Sequence, residues 1–244
     1  MQRERLTMKL CLKYSQSGGS HFKDAAASGF TCAEIGLLDA QQSLCRGGSL
    51  LSLLSPVKAA GLACALQIPL PIPRGFGAGM SAPGIADPED LLELSTMLCT
   101  ATGASLVVAD PFSMGPGDPL ISDDMAREDL RLSLLRLIAS HPYLRPCLRP
   151  AAVEGCAVRT LKEAALVLES LNRHEASLAC DLALLGDEAI DELKALPRGM
   201  VKVVRLGADA ASNRAAIEAL GGSGAVVCAT PSEAAALGAG GSLD

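Results

Sequence analysis

The sequence predicts a closed (β/α)8 barrel, and three observations carry that expectation. Eight short apolar or β-rich runs recur along the 244 residues, helical periodicity fills the intervals, and several runs end on an ionisable side chain. Successive runs begin 24 to 43 residues apart, which leaves room each time for the crossover helix that parallel strands require. An open doubly wound sheet is the alternative architecture. Against it, no run leads into a G-x-G-x-x-G helix start.

The predicted strands are residues 8–13, 32–37, 62–68, 105–110, 145–149, 177–181, 201–206 and 225–229. Between the first two, Ser20 opens a helix that Gly29 closes from a C-cap position. A helix over 52–60 ends at Gly61. Asp87, Pro88, Glu89 and Asp90 then supply an N-cap, a proline in the first turn and two acids, and Gly103 ends that helix. The next starts at Asp123 or Asp124 and runs through Leu130, Leu134 and Leu137 to about residue 140. Thr160 with Glu163 reads as a capping box, and helices over 187–196 and 213–220 complete the set. After Ala229 the tail has room for about two helical turns, which predicts a shortened last helix. The whole of 1–244 is expected to form one domain.

Composition narrows the function classes. Hydrophobic residues make up 49% of the chain but aromatics only 2%, so the core must be aliphatic. A net charge of −6, with no basic cluster interleaved with aromatics, argues against a nucleic-acid reader. No apolar run approaches the ~18 residues of a membrane span, and the basic N-terminus lacks the apolar core of a secretion signal. The nine cysteines form no CxxC pair and none sits at ligand spacing from a histidine; their odd number points to a reducing cytoplasm, and Cys11, Cys64, Cys147, Cys180 and Cys228, which fall in predicted strands, read as small hydrophobes.

Residues 177–206 show the repeating unit most plainly. An apolar run ends on Asp181, a charged amphipathic segment follows, and a second run ends near Arg205. In parallel α/β folds the chemistry sits at the carboxyl ends of strands, which here offer Lys13, Glu34, Gln67, Asp110, Arg149, Asp181 and Arg205. Two long connections, 68–86 and 111–123, follow strands and would form rim loops, the first of them carrying Arg74. His21, His141 and His174 lie away from strand ends and make poor general bases.

Several of these stretches resemble one family. Residues 24–36, D-A-A-A-S-G-F-T-C-A-E-I-G, resemble the A-x-x-G-F-x-x-x-E-I/L opening of the sugar phosphate isomerase/epimerase family, the xylose-isomerase-like TIM barrels. The G-A-S-L-V-V stretch at 103–108 is similar to that family's fourth strand. Leu148-Arg149-Pro150 with Val158-Arg159-Thr160 is similar to its fifth unit, and Cys180-Asp181 and Val204-Arg205-Leu206 fall where its sixth and seventh strands end. The resemblance implies an isomerase or epimerase with one divalent metal (Mn, Mg, Co or Zn) held by a Glu, an Asp, a His and a Glu from strands five to eight. Matched by position, Arg149 replaces the first Glu, Asp181 keeps the Asp, Leu184 replaces a His three residues on, and Arg205 replaces the ligand His. The eighth strand offers no carboxylate before Glu233. Guanidinium has no lone pair for a cation, so no metal and no other cofactor is expected.

Two readings of the Arg–Asp–Arg set stay open. In one, Arg149 and Arg205 bind a small anionic sugar or keto acid together with Lys13, Gln67, Arg74 and Asp110, while Glu34 and Asp181 move the proton. In the other, the charges pair with one another in a catalytically inactive barrel kept as a binding or partner subunit. An aliphatic-rich surface helix is compatible with a homodimer.

Overall fold

The structure, a computed structural model, describes residues 9–13, 20–70, 88–104, 106–111, 123–153, 156–171, 176–221 and 224–238. Eight parallel strands close into a barrel in sequence order. They are β1 (Lys9–Leu12), β2 (Phe30–Gly36), β3 (Ala63–Leu70), β4 (Leu106–Pro111), β5 (Arg145–Leu148), β6 (Ser177–Asp181), β7 (Val201–Arg205) and β8 (Val226–Ala229). Closure is direct: Lys9 to Leu12 pair in unbroken register with Val226 to Ala229. The ladders on the other side of β1 and between β6 and β7 each slip once, at Leu10/Cys11 and at Leu178/Ala179.

The helices are α1 (Ser20–Ala27), α2 (Leu37–Cys45), α3 (Leu50–Ala59), α4 (Pro88–Thr102), α5 (Asp123–Ser140), α6 (Leu161–Ser170), α7 (Leu182–Leu185), α8 (Glu188–Ala195), α9 (Ala210–Leu220) and α10 (Pro231–Ala236). The short last helix is as the tail length predicts. Two connections differ from the sequence reading by holding a second helix. Leu37 follows β2 without a break, and the turn at 46–49 separates α2 from α3, whose N-cap is Ser49 in a reciprocal box with Ser52. A single-turn helix, α7, likewise precedes α8. The box expected at Thr160 is half present: its hydroxyl accepts from the Glu163 amide at 3.1 Å, but the Glu163 carboxylate reaches one residue further back, to the Arg159 amide at 2.7 Å. α9 starts three residues before the expected 213, because Asp209 caps it by accepting from Ser212 N at 2.6 Å.

Two apolar layers hold the barrel. The lumen is lined by small side chains, Cys11, Ala65, Val108, Cys147, Ala179, Val203 and Cys228, all fully buried. Between strands and helices lie the larger aliphatics, among them Ile35, Leu66, Ile68, Leu98, Leu130, Leu134 and Leu178. Each such side chain contributes about 1.5–3 kcal/mol on burial, so this mainly aliphatic outer layer, which also buries Phe22 and Phe30, supplies most of the driving force. All nine cysteines are free thiols. Among the described residues no helix is long and apolar enough to cross a membrane.

Candidate functional site

The carboxyl ends of the strands deliver their polar side chains to one rim. Glu34, Gln67, Asp110, Asp181 and Arg205 belong to β2, β3, β4, β6 and β7. Lys13 and Arg149 each lie one residue past a strand. Both still extend the backbone ladder, Lys13 N donating to Ala229 O at 3.0 Å and Arg149 N to Ala109 O at 2.9 Å.

At the centre stands Asp181. Its Oδ2 accepts from Arg149 Nη1 at 2.9 Å and lies 2.9 Å from Arg205 Nε, while its Oδ1 caps α7 through the Ala183 amide at 3.1 Å. Arg205 also pairs, through Nη1, with Glu34 Oε2. Arg149 reaches the other way, its Nε 2.5 Å from Asp110 Oδ1, and Gln67 Nε2 donates to Asp110 Oδ2. The result is one chain of charges across the mouth: Glu34, Arg205, Asp181, Arg149, Asp110. A separate pair borders it, Lys13 Nζ lying 2.9 Å from Glu233 Oε2 and donating to Leu206 O. The sequence reading gave Glu233 no role. Its signal was present in Thr230-Pro-Ser-Glu233, a capping box in which the Glu233 carboxylate accepts from Thr230 N at 2.7 Å.

Electrostatically the central chain holds three carboxylates and two guanidiniums. Glu34 and Asp181 are almost wholly buried, and among the described residues Glu34 Oε1 has no hydrogen-bond partner. Burial raises Asp110 to about 6, against the opposing pull of Arg149, Gln67 and Arg205, and Glu34 adds to the rise. Burial disfavours the charge on Arg205, but Glu34 and Asp181 outweigh it and raise its pKa. Beneath the rim the thiol of Cys11, flanked in register by Cys32 and Cys228, is pushed well up by its bonds to those two thiols and by burial. Burial takes Cys147 to about 12. These thiols stay protonated and offer no nucleophile.

Seven of the eight expected site residues therefore meet at the mouth, joined in two connected groups. Arg74 lies outside the described residues, as do 71–87 and 112–122 of the two long connections. His21 is exposed on α1, and His141 bonds Thr96 Oγ1 at 2.9 Å before β5, on the face opposite the mouth. His174 lies outside the described residues.

The rim is a poor match for a divalent ion. A metal needs lone pairs, and the two side chains that converge on Asp181 are guanidiniums that have none to give. Among the described residues no group of three or more His, Cys, Asp or Glu side chains could hold an ion.

The fold is a (β/α)8 TIM barrel, and solved structures of xylose-isomerase-like proteins share it. The chain superposes on the IolI protein bound to zinc (TM-score 0.68, 18% identity, covering 96% of this chain and 94% of that one). It also superposes on D-psicose 3-epimerase in the presence of D-fructose (0.68, 11%, 91% and 85%). A third match is a xylose isomerase domain protein from Alicyclobacillus acidocaldarius (0.61, 16%, 91% and 88%). No protein-family model matches the chain, and no curated protein does. The chain shares the fold of these three proteins over nearly its full length.

Proposed function

We propose that this barrel has left metal-centred isomerisation behind and serves as a binding or partner subunit. One observation carries the reading: Asp181, the ligand position retained from the resemblance, is engaged by both Arg149 and Arg205. Each carboxylate of the central chain has a guanidinium against it, so none stands free as a base. The ligands to test are small carbohydrates, sugar phosphates and keto acids, the classes that the family resemblance implies.

A second reading has its own support. Asp110 is raised to about 6 and keeps 17% of its side-chain surface exposed, so it can exchange a proton near neutral pH. On that reading the protein is a metal-independent isomerase or epimerase of a small anionic sugar or keto acid. Arg149 and Arg205 steady the enediolate, and Asp110, Glu34 and Asp181 carry the proton.

The deciding experiment screens sugars, sugar phosphates and keto acids in deuterium oxide, reading thermal shift and proton exchange together. A ligand that raises the melting temperature without deuterium incorporation supports the binding subunit. Incorporation abolished by D110N overturns it in favour of the isomerase. A screen without any shift removes the small-ligand role and leaves a protein partner.

A further inference from the structure

We propose that Arg149 and Arg205 act together as a built-in dication standing where a divalent ion would sit, so that the mouth is held permanently in a metal-loaded charge state. The inference rests on reading the mouth as metal-free, and goes further by saying what replaced the ion. Three features support it. The two guanidiniums carry the same total charge as one divalent ion, and they converge on one oxygen, Asp181 Oδ2, each at 2.9 Å. From that shared oxygen they reach opposite ways, Arg205 to Glu34 on β2 and Arg149 to Asp110 on β4, so the two positive charges are shared among three carboxylates. Unlike an ion, both charges are tethered to the chain and cannot be removed by a chelator.

Removing the tethered charges should therefore create an appetite for a free one. The test is the R149E/R205H variant of the full chain, which returns lone-pair donors to both positions. Manganese, cobalt and zinc binding is followed by calorimetry, and melting temperature is followed with and without chelator. The native protein should show no saturable divalent binding and an unchanged melting temperature in chelator. The variant should gain one saturable site and lose its added stability when chelated. Stoichiometric binding by the native protein overturns the proposal, as does a folded variant that binds nothing.

A double variant that unfolds with and without metal passes the decision to R205A. Its lowered melting temperature should recover in millimolar guanidinium or divalent cation and not in sodium or tetramethylammonium at matched ionic strength. Recovery that is equal in all four salts overturns the proposal. A folded variant that binds no metal sinks this inference and leaves the binding-subunit reading standing, metal on the native protein sinks both, and the ligand screen can fail while this inference stands.

Discussion

Glu34 and Arg205, 171 positions apart in the chain, meet across the barrel mouth as an ion pair joining β2 to β7. These strands are not neighbours in the sheet, so the contact braces the rim across its opening. The same guanidinium is held by Asp181, and the brace extends through Arg149 to β4.

Breaking this brace at one partner should be costly. R205M leaves Glu34 and Asp181 buried without the cation between them, and a loss of about 3–5 kcal/mol is expected. Urea denaturation measures it. Removing both charges in E34Q/R205M should cost less than R205M alone, because the acid stranded by the single change is then gone. A double variant as unstable as the single one argues that packing, not charge, holds Arg205.

Asp110 sets a pH dependence with a definite sign. Its folded pKa, about 6, lies above the model-compound value of 3.8, so the folded state binds the proton more tightly than the unfolded chain does. The group favours folding below about pH 4, and that contribution is lost as pH rises to about 6. The difference in urea midpoint between native protein and D110N should fall across this window and level off above it. A difference that grows with pH sinks the assignment.

Gly186 joins α7 to α8 at φ +70° and ψ −163°, a region open essentially to glycine alone. A Cβ added there meets nothing within 4 Å, so the cost of G186A is backbone strain without a clash. A loss of about 1–3 kcal/mol is expected, measured by thermal or urea unfolding.

Thiol chemistry should separate the nine cysteines by access. Cys45 is exposed at the end of α2, and Cys32 is half-buried. Burial takes Cys64 and Cys99 up to about 11 and Cys180 to about 12. A disulfide reagent should modify Cys45 first, C45S should remove that fast phase, and the seven buried thiols should react only on unfolding. Fast modification of Cys147 in the native protein contradicts the closed lumen.

Strand positions were legible because period and spacing are local properties: apolar runs separated by capped helices leave few architectures open. The rim residues followed from the same logic, since the last residues of each strand must face one end. Pairing was not legible. Whether Arg149 turns to Asp110, to Asp181 or to a ligand depends on distances across the barrel that no local pattern encodes. Glu233 escaped notice for a related reason, its carboxylate serving both a cap on α10 and an ion pair with a residue 220 positions earlier. α2 was missed because it begins at the residue after Gly36, with no polar N-cap side chain to announce it.

That 220-residue contact has a bearing on synthesis. β1 leaves the ribosome first, yet its partner edge is β8 and the salt link that fastens the seam comes from α10. Until β8 emerges, the nascent chain carries two open strand edges, on β1 and on β7, lined with apolar residues. The barrel therefore cannot close before β8 is made, and an untimely stop near residue 225 would leave a sticky ribbon in place of a barrel.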